Sequence, residues 1–197
     1  LSHTRDVIFL EQGEVAVLYA DHVDLFASDG EKIVRSPYHV DWDVEAAEKG
    51  GFSHFMLKEI HEQPRALFDT IRPRIVRDSS GAIVDSSFEE LDTSILSTAK
   101  RIVITACGTA YHAGVVAKYA FEFFARIPVV VDVASEFRYR NPIFLPNDVF
   151  IVISQSGETA DTRAAIEAAK KRGVKVIAIT NCVGSSISRE SDAVLYT

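Results

Sequence analysis

Val152-Ile153-Ser154-Gln155-Ser156-Gly157-Glu158-Thr159-Ala160-Asp161 is the stretch on which the reading of this chain turns. An apolar strand pattern runs into hydroxyl side chains and then into an alanine-rich amphipathic helix. A helix start leaves its first N–H groups without intrahelical partners and carries the positive end of the helix dipole, so an anion can settle there. Ser154, Ser156 and Thr159 add hydroxyl donors, and Gly157 lets the backbone approach closely. The loop holds no lysine and matches neither GxxxxGK[ST] nor GxGxxG, so the usual nucleotide fingerprints do not apply. A small phosphorylated metabolite is the expected ligand.

Working outward, residues from Ala99 alternate strand and helix patterns. Strands are expected at 101–106, 129–133, 149–153 and 175–180, with helices at 110–126 and 158–172. This alternation predicts an α/β fold with a doubly wound parallel sheet. Ligands of such sheets sit beyond the carboxyl ends of the strands, near the point where strand order reverses. Two loops qualify: Cys107-Gly108-Thr109-Ala110 and Ser154–Thr159. If their strands are neighbours, both face one crevice.

Upstream the pattern differs. From Asp6 to about Arg35, short apolar runs separated by Gly13, Asp21 and Asp29-Gly30 read as a four-stranded antiparallel meander. From Asp41 to about Thr98 charge rises. The run Phe52–Ile60 continuing into Ala66–Ile71 reads as helix, with Pro64 at the start of a second helix, and Ser79-Ser80-Gly81 marks a turn. The expected organisation is therefore a small antiparallel β segment over 1–40, a helical linker over 41–98, and the α/β unit over 99–197.

Composition sets the limits. The 197 residues are 47% hydrophobic and 25% charged, as in an ordinary globular protein. The net charge of -7 comes with no basic run that would track a nucleic acid or an anionic membrane, so neither is expected as a partner. Two cysteines, Cys107 and Cys182, make no disulfide framework, and without CxxC or a His/Cys ladder no structural metal site is expected. No apolar run approaches the roughly 20 residues of a membrane span, and Leu1 opens no signal-peptide pattern, so a cytoplasmic location is expected. Leu1 is not Met and the chain stops inside the strand pattern at 193–197, so a fragment is expected.

Four ordered blocks carry a resemblance: Cys107–Gly114, Ala134-Ser135-Glu136-Phe137-Arg138-Tyr139-Arg140, Ser154–Thr162, and Asn181–Asp192. They resemble the glutamine:fructose-6-phosphate aminotransferase family. Thr4–Leu18 is similar to the last strands of that family's glutaminase domain, and His54–Pro64 to its interdomain linker. The resemblance implies that 99–197 is the first of two sugar-isomerase (SIS) subdomains and that the intact protein, acting as a homodimer, converts fructose 6-phosphate and glutamine to glucosamine 6-phosphate and glutamate. It implies phosphate-binding roles for Thr109, Ser154, Gln155, Ser156 and Thr159, with Gly108, Ala110 and Gly157 in support. The family's amino-terminal catalytic cysteine, second SIS subdomain and ring-opening lysine have no counterpart here, so no catalytic residue and no cofactor are assigned and the piece alone is expected to be inactive. Ala110 stands where the family usually has Ser, which removes one hydroxyl donor and is expected to weaken binding roughly fivefold.

Each site residue has a plainer reading. Ser154, Ser156 and Thr159 also suit a helix cap, and Gly108 with Thr109 a tight turn. Cys107 also reads as a small buried hydrophobe, Glu158 as a carboxylate favouring a helix start, and His112 as a packing residue. Glu136, Arg138 and Arg140 read as a surface or interface network. At the level of function, a non-catalytic SIS module that senses phosphosugars is the alternative. A nucleotide-binding α/β domain is disfavoured by the missing glycine pattern.

Overall fold

The computed structural model describes residues 4–39, 49–88 and 91–197. Of the linker expected over 41–98, residues 41–48, 89 and 90 lie outside the described residues, as does the Leu1 end of the chain. The chain divides into two compact units, 1–63 and 64–197.

The first unit opens with strand β1 (Asp6–Val7), followed by β2 (Val15–Leu18), β3 (Val23–Phe26), β4 (Lys32–Ile33) and β5 (Tyr38–His39). The expected four-stranded meander is instead a three-stranded sheet, β2-β3-β4, beside a separate antiparallel pair in which Asp6 faces His39. The first apolar run is diverted by a side chain. Arg35 Nη1 donates to the Phe9 carbonyl at 2.6 Å and its guanidinium grips both Glu14 carboxylate oxygens, at 2.8 and 2.7 Å, which turns 9–14 into a loop.

Helix α1 (Phe55–Ile71) runs through Pro64 without a break, where two helices were expected. Its carbonyl at Ile60 loses one intrahelical donor, and both residues 60 and 64 are exposed, so water can serve that carbonyl. The segment 41–98 is also not wholly helical. It contains the hairpin of β6 (Ile75–Arg77) and β7 (Ile83–Ser86) and a single turn, α2 (Ser94–Ser97). The hairpin turn is written in Asp78-Ser79-Ser80-Gly81: the Asp78 carboxylate accepts from Ser80 N and Ala82 N, and Gly81 takes φ +84°.

The remainder is the doubly wound unit. β8 (Arg101–Ala106) leads into α3 (Thr109–Ala120), which widens to a π-helical turn over Phe121–Ala125 and stops at the left-handed Arg126. Then follow β9 (Val129–Val133), α4 (Ala134–Tyr139), β10 (Asp148–Ser154), α5 (Ala160–Lys170), β11 (Lys175–Thr180), α6 (Ser186–Glu190) and β12 (Ala193–Tyr196). The five strands are parallel, in the order β12-β11-β10-β8-β9.

Alternation along each strand divides the core in two. Ile102, Ile104, Val149, Ile151 and Ile177 face one layer with Ala117 and Phe121 of the α3 region. Val103, Phe150, Val152, Val176 and Ala178 face the other with Phe137 of α4, Ala165 and Ile166 of α5, and Ile187 of α6. Phe137 and Phe150 are fully buried, stacked with centroids 5.1 Å apart, and Phe144 meets both edge-on. Burial of each such ring is worth roughly 2–3 kcal/mol. On the α3 side, Gly114 brings helix and sheet together: a Cβ there would stand 3.0 Å from Ile104 Cγ2 and 3.2 Å from Val131 Cγ1.

Candidate functional site

The sheet order fixes the crevice. From β8 the chain goes outward to β9, then passes back over β8 to β10, so strand order reverses between β8 and β10. These strands are direct neighbours, with Ala106 opposite Ile153. The loops that follow them therefore leave the sheet side by side, about 5 Å apart by strand spacing.

The first loop is short. Gly108 takes φ +57°, ψ −136°, which a side-chain-bearing residue avoids, and α3 begins at Thr109 without a side-chain cap. Gly108 and Thr109 are exposed, and Ala110 and Cys107 half-buried. The exposed His112 stands edge-on to Tyr111.

The second loop is stitched to itself. Ser154, buried, accepts Gly157 N–H on its Oγ at 3.1 Å and lies 3.1 Å from Thr159 Oγ1. Ser156 Oγ accepts Glu158 N–H at 3.3 Å. Thr159 occupies the cap position of α5 yet makes no side-chain bond to that helix, so these hydroxyls shape the loop rather than cap the helix. The first amides of α5 have no intrahelical acceptors by helix geometry and no capping side chain. Gln155 and Ser156 are exposed beside them.

A third element is present that the strand-and-helix pattern does not announce. The loop 181–185 after β11 and the short α6 pack against the second loop. Asn181 N donates to the Gln155 carbonyl at 3.3 Å, Ile187 N to the Gly157 carbonyl at 2.9 Å, and Ser186 N to Glu158 Oε1 at 2.8 Å. Gly157 has φ +68°, and a Cβ on it would overlap Ser185, so its lack of a side chain serves this packing as well as any ligand. Ser185 is the α6 cap, its side chain accepting from Ser188 N, and the run Ser185-Ser186-Ile187-Ser188 carries that capping signal in sequence. Glu158 thus lies at a helix start, as expected of a carboxylate, but at that of α6.

The rim is charged. Arg138 of α4 reaches Asp161 of α5 at 3.2 Å, and Arg140 reaches Asp132 at 2.5 Å; Glu136 is exposed. Arg163 holds Glu190 at 2.5 Å, and that hydrogen bond, aided by the charges of Glu190 and Glu158, raises the guanidinium above its ordinary value against some desolvation.

Among the described residues no group of three or more His, Cys, Asp or Glu is arranged to hold a metal ion, and Cys107 and Cys182 are free thiols. No described helix is long and apolar enough to cross a membrane. What the site offers an anion is two helix starts, hydroxyls and backbone N–H groups.

Comparison with known proteins agrees with the α/β fold of the second unit. A family model described as SIS domain matches residues 95–197. Over its whole length the chain is 58% identical to a protein of Caldanaerobacter subterraneus subsp. tengcongensis and 54% identical to one of Clostridium tetani, each named glutamine--fructose-6-phosphate aminotransferase [isomerizing]. It covers 32% of each, so the chain spans about a third of the length of the curated relatives it matches. The solved C-terminal domain of glucosamine-fructose-6-phosphate aminotransferase from Francisella tularensis is 42% identical with a TM-score of 0.66, over 76% of this chain and 41% of that one.

Proposed function

The chain belongs to the SIS domain family, and from that premise we propose that it supplies the sugar-phosphate-binding half of an isomerase site in a glutamine--fructose-6-phosphate aminotransferase. The observation that carries this reading is the adjacency of β8 and β10, which sets the 107–110 and 154–159 loops on one crevice at the reversal of strand order.

In this reading Thr109, Ser154, Gln155, Ser156 and Thr159 hold the phosphate of fructose 6-phosphate or glucosamine 6-phosphate, with Gly108, Ala110 and Gly157 shaping the loops. The exposed Thr109, Gln155 and Ser156 reach the ligand first, whereas Ser154 keeps the loop in shape and offers its hydroxyl from below. Charge-assisted hydrogen bonds are worth about 1.5–3 kcal/mol each, so three or four offset the entropy of binding a small metabolite at micromolar to millimolar affinity.

The amination and isomerisation belong, in this proposal, to a protein of the relatives' full length, working as a homodimer. Residues 1–40 are its last glutaminase strands, 41–98 its linker and 99–197 its first SIS subdomain. Free thiols at Cys107 and Cys182 suit a reducing compartment, so its proposed location is the cytoplasm. Full-chain identity to aminotransferases, including residues 1–94, supports this over a phosphosugar-sensing regulatory module.

Titration of 15N-labelled protein with fructose 6-phosphate, against fructose and inorganic phosphate, tests it. Saturable shifts at the amides of Gly108, Ser156 and Gly157 are expected; none up to millimolar ligand in a folded sample overturns a preformed cradle in this chain.

A further inference from the structure

We propose that Glu158 is a positioning residue: by accepting the Ser186 N–H it fastens the outer half of the 154–159 loop to α6 and holds the cradle in its binding shape. This rests on the phosphosugar reading of that loop.

The loop has two halves with different supports. Its inner half is held from within, by Ser154 Oγ on Gly157 N–H and on Thr159 Oγ1. Its outer half, where the exposed Ser156 stands, has one weak internal bond, from Glu158 N to Ser156 Oγ at 3.3 Å. Outside support comes from Asn181 N on the Gln155 carbonyl at 3.3 Å and from α6, with the Glu158 carboxylate at 2.8 Å from Ser186 N and the Gly157 carbonyl at 2.9 Å from Ile187 N. The Asn181 and Ile187 bonds join backbone to backbone, and no change at residue 158 removes either acceptor. The Ser186 bond depends wholly on residue 158.

A carboxylate beside an anion site is electrostatically costly in itself, since like charges repel. Here it is turned toward a helix start and toward Arg163, whose guanidinium feels its charge. The useful property of Glu158 is then its acceptor oxygen and its length, not its negative charge. Glutamine retains both. Alanine retains neither.

The test compares wild type, Glu158→Gln and Glu158→Ala in the 197-residue chain by 15N titration with fructose 6-phosphate, with the Ser186 amide followed as a reporter of the contact. Loss of one net hydrogen bond predicts about fivefold weaker binding for Glu158→Ala, a displaced Ser186 amide and a lowered thermal unfolding midpoint, since the buried Ser186 N–H loses its acceptor. Glu158→Gln is expected within about twofold of wild type, or tighter, with Ser186 undisturbed. Equal binding by Glu158→Ala overturns the proposal, and so does a Glu158→Gln as weak as Glu158→Ala, which would make the charge itself the working feature. If wild type shows no saturable shift while Ser186 still responds to Glu158→Ala, the phosphosugar reading is what has failed, and the positioning role falls with it.

Discussion

Ser185 occupies the space that a side chain on Gly157 would need. The two residues belong to different loops of the site, and Ser185 caps the helix, α6, whose Ser186 and Ile187 amides bond the candidate cradle. Gly157→Ala meets two penalties: a left-handed backbone at φ +68°, about 1–2 kcal/mol for a residue with a Cβ, and overlap with Ser185, about 1–3 kcal/mol. The expected total, read by urea unfolding, is about 2–5 kcal/mol. Adding Ser185→Gly removes both overlapping atoms at a capping cost of only a few tenths of a kcal/mol. The double variant should therefore recover the overlap and keep the backbone penalty. No recovery would show that Ser185 is not the obstacle.

Arg101 and Asp148 tie β8 to β10 at the end of the sheet away from the crevice. Arg101 Nε and Nη2 donate to the two carboxylate oxygens at 2.9 and 2.5 Å, Leu145 N adds a third bond, and the Asp148 side chain is 0% exposed against 22% for Arg101. The asymmetry decides which deletion hurts more. Arg101→Met leaves a carboxylate buried without its counter-charge, about 3 kcal/mol or more. Asp148→Asn leaves an arginine that can turn to water, at about 1–2 kcal/mol. Unfolding curves that rank the two the other way would contradict the burial. Ligand-induced shifts at Ser156 should survive in both variants wherever they remain folded.

Ser154 and Ser156 separate loop architecture from ligand contact. Ser154→Ala removes the acceptor for the Gly157 N–H inside the loop and should cost about 1–2 kcal/mol of stability as well as affinity. Ser156→Ala, exposed, should unfold within about 0.5 kcal/mol of wild type and still weaken fructose 6-phosphate binding about fivefold. If Ser156→Ala binds unchanged, the exposed hydroxyl does not reach the phosphate.

The doubly wound sheet is legible in sequence because its strands, buried on both faces, are continuous apolar runs of Val, Ile and Ala, and because 107–110 and 154–159 stand at their carboxyl ends. Strand adjacency is what the sequence leaves conditional, since 41 residues part the end of β8 at Ala106 from the start of β10 at Asp148 and only the pairing joins the two strands. Two features escape for physical reasons. The α6 contact is long-range, 28 residues from Glu158 to Ser186, and no local periodicity encodes it. The first meander strand fails because Arg35, a side chain 26 residues away, takes the Phe9 carbonyl. Pro64 misleads in the opposite sense: local chemistry reads as a helix start, but an exposed helix can run through it when water serves the orphaned carbonyl.

Acid should loosen the first unit through Glu14. The hydrogen bond from Arg35, with a backbone bond and the arginine's charge, holds its carboxyl below the ordinary 4.5. An unfolded chain takes up that proton first, so the contribution of this pair is complete above pH 4.5 and is lost as pH falls through the lower folded value. Glu14→Gln should therefore be less stable than wild type by a constant amount above that pH, with the gap closing below it, as followed by the Phe26 and Leu25 amides during acid titration. A gap that persists undiminished in acid would mean the pair contributes through packing rather than charge.

Ala110 offers a gain-of-function test of the first loop. It is the second residue of α3, half-buried and next to the exposed Thr109, in a helix whose cap residue, Gly108, has no side chain to serve the leading amides. A hydroxyl at this position adds a donor at the same helix start without enlarging the core, and serine in the first turn costs the helix at most about 0.5 kcal/mol. Ala110→Ser is expected to leave unfolding nearly unchanged and to tighten fructose 6-phosphate binding about fivefold, the worth of one net hydrogen bond. The gain should be absent for fructose, which lacks the phosphate, and should vanish in the Ser156→Ala background if both hydroxyls hold the same phosphate through a shared geometry. Unchanged affinity in Ala110→Ser, with binding still sensitive to Ser156, would confine the ligand to the second loop and take the start of α3 out of the site.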